Sequence, residues 1–145
     1  GKKVCGILTE MSMEQAYIHH IVIGVGINVR RQEFPEEIRD RAAAIEEQCG
    51  FRISRSQLSA DIMEPFEEDY EIFLQTHDLK RLRDSYAKLL VNRDREVCVL
   101  DPKGEFRGTA RGINAQGELL VERQDGSIEE VYAGEVSVRG VYGYV

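Results

Sequence analysis

The chain has 145 residues, room for one mid-sized domain or two small ones, and 42% of them are apolar, enough for a packed core. Its 26 Asp and Glu against 19 Lys and Arg give a net charge of -7. That balance argues against a nucleic-acid or anionic-membrane partner, since phosphate binding wants clustered cations.

No apolar run approaches the roughly 18 to 20 residues of a membrane-spanning helix, and no secretory leader is visible. Cys5, Cys49 and Cys98 are scattered without CxxC spacing, which fits a reduced, cytoplasmic protein. The chain starts almost inside a strand and without an initiator methionine, so a fragment of a longer protein is expected.

Two β-type runs come first, "KVCGILTE" and "HHIVIGVGINV", joined by the polar "MSMEQAYI". The joining segment is short enough for a hairpin, so the strands are expected to be antiparallel. Few charges interrupt the runs, as in strands buried on both faces. "FPEEIRDRAAAIEEQCG" then predicts a helix, with Pro35 in the first turn, acidic residues after it and Gly50 as terminator. Ile38, Ala42 and Ile45 would face the core.

Ser54 and Gln57 have capping-box spacing and predict a second helix, with Leu58, Ile62, Phe66, Tyr70 and Phe73 as its apolar stripe. Pro65 interrupts it, removes the bond to the Asp61 carbonyl and predicts a kink. A third helix is expected over 79–90, with Leu82, Tyr86 and Leu89 on its face. From Glu96 the period changes. "EVCVL", "EFRGTARGI", "GELLVE", "SIEEVY" and "GEVSVRG" read as short strands, and "DPKG", "NAQG" and "QDG" are turns closing on glycine. Such spacing predicts a small barrel, with a boundary near 92–94. The fold class is therefore α+β, a mixed sheet with packed helices over 1–93 and a barrel over 94–145.

Glycines at the end of an apolar strand, as in "GVGIN", let something approach the backbone, either a ligand or another strand. The dinucleotide-binding GxGxxG is excluded, because after Gly24 and Gly26 the third glycine is missing. Asn28 behind them can cap a turn or pair with a nucleobase edge. Lys3 is either a solvated charge or a cation aimed into a cleft, where it would stabilise a carboxylate or phosphoryl oxygen. Gly6, three residues on, would bring a second bare strand to the same place. The constellation suits a flat anionic molecule lying on a sheet. His19 and His20 point to opposite faces of a strand and, with only His77 besides, form no metal site. No Ser-His-Asp arrangement stands out, and the acidic residues of the helices read as solvated faces.

"GKKVCGILTEM", "IVIGVGINV" and "GEVSVRGVYGYV", in that order, resemble the biotin–protein ligases, over essentially the whole chain. The resemblance implies the later part of a class II synthetase-like catalytic domain followed by an SH3-like C-terminal domain. It implies activation of biotin by ATP, with Mg²⁺ assisting, to biotinyl-5′-AMP. The acyl group then passes to a lysine of the biotin carboxyl carrier protein of acetyl-CoA carboxylase. Lys3 would act at the biotin carboxyl end and the activated phosphate. Gly6, Leu8, Gly24 and Gly26 would line the biotin pocket, with Asn28 on the adenine side. Glu135 and Arg139 match barrel residues that influence nucleotide or carrier engagement, though a surface ion pair accounts for them equally.

The family's glycine- and arginine-rich loop, and its residues for the biotin ureido ring, precede this region, so the isolated chain is expected not to form the adenylate. DNA would be a partner only of a protein that also bears an N-terminal helix-turn-helix, and an exposed strand could support a homodimer. Two rivals stay open: a lipoate ligase sharing the catalytic fold, and a non-catalytic interaction module.

Overall fold

The computed structural model describes residues 1–14, 17–100, 104–132 and 137–140. It is a mixed helix and sheet structure, the expected α+β class. The chain divides into two compact units, Gly1–Ile62 and the part from Met63 onward, each taken in turn below.

Unit 1 is built on an antiparallel hairpin of β1 (Cys5–Glu14) and β2 (Tyr17–Ile27). The pairing is the expected one, but both strands run further into the joining segment than the polar text suggests. The expectation of burial on both faces is overturned. Ile7, Leu8, Ile21, Ile23 and Val25 are all exposed by more than half. The physical reason is that β1 and β2 form a two-stranded sheet, and no helix of this unit packs on either face.

The helix expected over 34–50 is also corrected. Only Ile45–Cys49 is helical (α1), closed by Gly50 at φ 81°. Upstream, the Ala42–Ala43 backbone is diverted into a parallel bridge with Lys3. The Lys3 N–H donates to the Arg41 carbonyl (2.7 Å), and the Ala43 N–H donates to the Lys3 carbonyl (3.0 Å). Those groups are then unavailable for a helical ladder. Ala43 and Ala44, not Ile38, are the buried residues here, because only small side chains fit beside the bridge; Ile38 is 41% exposed. The Ala44 N–H is capped by the Glu47 carboxylate (3.3 Å).

α2 (Arg55–Thr76) starts where expected and continues through Pro65. Ser54 Oγ accepts the Gln57 N–H (3.4 Å), but the Gln57 amide turns forward to Asp61 (2.7 Å), so only half of the capping box forms. Phe66, Tyr70 and Phe73 stack along one side, with centroids 5.9 and 6.5 Å apart.

In unit 2 the third helix is shorter than expected: α3 covers Arg83–Leu89, and residues 77–82 form a turn held by the Leu79 N–H on the Ala115 carbonyl (2.8 Å). Ala87, rather than Tyr86 or Leu89, is its buried residue. Five strands follow: β3 (Glu96–Leu100), β4 (Phe106–Ile113), β5 (Leu119–Glu122), β6 (Ile128–Val131) and β7 (Ser137–Gly140). They make an antiparallel sheet in the order β6-β5-β4-β3-β7, open in its pairing and consistent with a small SH3-like domain. Alternating residues point inward, and Val97, Val99, Ala110, Val121 and Val131 form the core, with Phe106 and Leu119 packed against it. The expected turn glycines Gly117 and Gly126 take φ 89° and 82°. A bulge between Ala110 and Gly112 turns Arg111 outward, where it binds Glu122 (2.6 Å) and Asp94 (2.8 Å).

Candidate functional site

The hairpin register sets Gly6 directly opposite Gly26, and Leu8 opposite Gly24. Because side chains alternate along a strand, these four positions share one face of the ribbon. At its end nearest the bridge this face has no side chains. A Cβ on Gly6 would meet the Cε and Nζ of Lys3, each at 3.8 Å, and a Cβ on Gly26 would meet only the Gly6 carbonyl at 3.9 Å. The bare backbone is therefore covered by the lysine side chain and not by core packing. Lys3 makes no ion pair among the described residues, so its ammonium is not committed to a carboxylate.

Lys3, Gly6, Gly26 and Asn28 line one cavity of about 570 Å³. The backbone fixes their relative positions. The Asn28 N–H donates to the Val4 carbonyl (2.8 Å), and the Asn28 carbonyl accepts from Ile45 (2.8 Å). Both backbone groups of Asn28 are thus engaged, and its side chain has no hydrogen-bond partner among the described residues. Leu8 and Gly24 lie two residues further along the hairpin and do not line this cavity. Arg139 belongs to unit 2, its backbone opposite Cys98 in β7, and only that backbone is described. Glu135 lies outside the described residues.

Besides Cys5 in β1, four wall residues escape a reading of the sequence: Phe34, Ile38, Arg41 and Ala42. They lie in the segment expected to be helical. The available signal was the run Ala42-Ala43-Ala44, three small residues that allow a close backbone approach, together with the proline after Phe34. In the structure Pro35 starts two successive turns, its carbonyl accepting from Ile38 and Arg39 and the Ile38 carbonyl from Arg41 and Ala42, and the chain then enters the bridge beside Lys3. The Arg41 guanidinium donates to the Glu37 carbonyl (2.9 Å). The cavity thus combines a bare sheet face, a cysteine, three apolar residues, an asparagine and two cationic residues. Its chemistry suits an elongated molecule with a flat part and a negatively charged part.

The chain as a whole is similar to proteins of known activity. Residues 94–139 match the family model described as the biotin protein ligase C terminal domain. The bifunctional ligase/repressor BirA of Bacillus subtilis is 36% identical over 143 residues, covering 95% of this chain and 42% of that protein. The protein of the same name from Escherichia coli is 31% identical over 140 residues, with the same coverage. The chain thus spans less than half the length of these relatives. Among solved structures, apo biotin protein ligase from Aquifex aeolicus is similar with a TM-score of 0.81 at 29% identity, over 96% of this chain and 59% of that one. The complex of the Aquifex aeolicus enzyme with biotin and ATP is similar with a TM-score of 0.78, also at 29% identity, over 96% and 56%. The likeness read from three short motifs is borne out: nearly the whole chain is similar to the C-terminal portion of biotin protein ligases.

Proposed function

We propose that this chain is the C-terminal portion of a biotin–protein ligase, with residues 1–93 belonging to its catalytic domain and 94–145 forming its C-terminal domain. The reaction has two steps. A biotin carboxylate oxygen attacks the α-phosphorus of ATP; the new O–P bond forms as the α–β P–O bond breaks, and pyrophosphate leaves. The amine of a carrier-protein lysine then attacks the acyl carbon, a C–N bond forms, the nitrogen loses a proton and AMP departs.

The observation that carries the proposal is the Gly6–Gly26 pair with the Lys3 amine above it. A flat ring system can lie against backbone that has no Cβ in the way. A fixed ammonium beside its acid end favours the negative charge that grows on the phosphoryl oxygens. Asn28 offers a donor and an acceptor for the adenine edge. Leu8, with the bare Gly24 opposite it, extends the apolar wall toward the biotin end. Among the described residues no group of three His, Cys, Asp or Glu could hold a metal ion. Mg²⁺ would accompany the ATP phosphates and neutralise part of their charge.

The acceptor would be the biotin carboxyl carrier protein of acetyl-CoA carboxylase, and the cytoplasm is the compartment that suits three unpaired cysteines. DNA contact would be a property of a longer protein with a helix-turn-helix, whereas a homodimer would form by pairing of an exposed strand.

The test is biotin-dependent exchange of labelled pyrophosphate into ATP by the full-length protein. Lys3→Ala should slow it by about 10²- to 10³-fold with the folded protein intact. Normal turnover in that variant would remove Lys3 from the chemistry, and exchange with lipoate but not biotin would move the assignment to the lipoate branch.

A further inference from the structure

A second concavity in unit 1, of about 610 Å³, has a different lining from the Lys3 cavity and shares no residue with it. Arg30 and Arg31 reach it from the segment after β2, and Arg52 from the turn between Gly50 and α2; Phe51 and Ser54 complete the wall. None of the three arginines makes an ion pair among the described residues. The one carboxylate of the lining, Glu46, uses Oε1 to accept the Ile53 N–H (3.0 Å), which ties the turn together.

In a chain with 26 acidic residues, three uncompensated guanidinium groups around one hollow call for an account. Their mutual repulsion is relieved by an anion between them. Guanidinium forks match phosphate oxygens in a bidentate way that an ammonium cannot. Phe51, 66% exposed, presents a ring at the same hollow. The volume falls in the range of small-molecule sites, and the net charge of -7 disfavours an extended polyanion such as nucleic acid.

We propose that this hollow binds a small phosphate-bearing anion, either pyrophosphate or the phosphate end of a nucleotide, through Arg30, Arg31 and Arg52. The site is separate from the one assigned to adenylate formation, and the inference stands whether or not that assignment holds.

Pyrophosphate binding to the full-length protein, measured by calorimetry at low ionic strength without biotin, tests it. The Lys3→Ala background removes the contribution of the other cavity. Saturable binding should persist there and should weaken by at least about tenfold when Arg30→Gln, Arg31→Gln and Arg52→Gln are added, two or more charged hydrogen bonds being lost. An Arg→Lys triple variant, which keeps charge and loses the fork, should fall between the two and guards against loss of fold in the glutamine variant. Tighter binding of AMP than of ribose 5-phosphate, abolished by Phe51→Ala, would identify a nucleotide; equal binding would identify a bare phosphate group. Absence of saturable pyrophosphate binding in the Lys3→Ala protein, or equal binding by the glutamine and arginine forms, overturns the proposal. Pyrophosphate exchange by the triple variant, measured alongside, reports separately on the adenylation reading.

Discussion

The β1–β2 hairpin and the five-stranded sheet are both written in valine, isoleucine and leucine, yet they use those residues in opposite ways. The sheet has enough strands to curve over one face, and it encloses Val97, Val99 and Val121 at 0–1% exposure. The hairpin has only two strands, and the apolar side chains described on it, among them Ile7, Leu8, Ile21, Ile23 and Val25, stay in contact with water. One region uses its apolar residues to hold itself together. The other offers them, with two opposed glycines, as a surface on which something else can lie.

That contrast can be broken most directly by placing a charge in each region. Val121→Asp should cost about 3–5 kcal/mol, because a carboxylate would be buried without a partner. Val25→Asp, at a position 52% exposed, should cost no more than about 1 kcal/mol in this chain. Urea unfolding read by amide hydrogen exchange would assign each loss to its unit, and equal losses would mean that the hairpin is a core element after all.

The glycines sharpen the same comparison. A Cβ on Gly108 would sit 2.5 Å from the Glu122 carbonyl oxygen and 2.6 Å from a Val121 methyl, both held by the sheet. Gly108→Ala should therefore destabilise by about 1–3 kcal/mol, measurable as a lowered denaturation midpoint. A Cβ on Gly6 meets only the flexible end of Lys3 at 3.8 Å. Gly6→Val should leave stability unchanged or raise it slightly, since valine suits a strand better than glycine. In the full-length protein the same change should lower adenylate formation by about 10- to 200-fold, because the added methyls occupy the space of the ligand. A variant that is stable and active would mean that the bare face is not used.

The smallest effect concerns a turn of the sheet. The Ser127 hydroxyl (2.6 Å) and N–H (3.0 Å) both donate to Asp125, and they hold its carboxyl below the ordinary value of 3.8. A carboxyl whose folded value is depressed stabilises the fold above its unfolded value, and that contribution disappears as pH falls through the lowered folded value. Asp125→Asn should flatten this acid limb slightly: its small stability deficit is full near neutrality and shrinks in unfolding curves taken as pH falls below about 4.

The strands of the sheet were legible because each is bounded by turn chemistry: Gly117 and Gly126 mark where the backbone must reverse, and the alternation between them fixes the inward face. The Lys3, Gly6, Gly26 and Asn28 group was legible in part: the hairpin pairing that brings the two strands together could be read, but glycines in a strand fit packing as well as a ligand, and the resemblance of the motifs singled them out. The wall from Phe34 to Ala42 was not. Its spacing of Ile38, Ala42 and Ile45 is helical in period, and local propensity alone favours a helix there. Tertiary contact prevailed: the backbone of Arg41 and Ala43 found partners on Lys3, and a ladder bond satisfied across the chain is as good as one satisfied along it. Likewise, no feature local to the Arg30–Arg31 pair brings Arg52 to it, for Arg52 lies more than twenty positions further on.

The sequence by itself determined the strand pairing of the hairpin, the turns and inward face of the sheet, and the residue types able to receive a flat acid. These follow from side-chain period and from backbone angles that only certain residues adopt. The tertiary structure alone decided that the hairpin's apolar faces are open, that Phe34 and Arg41 stand beside Lys3, and that three arginines meet around a second hollow. Burial and convergence depend on which distant backbone groups satisfy one another, and no local pattern encodes that choice.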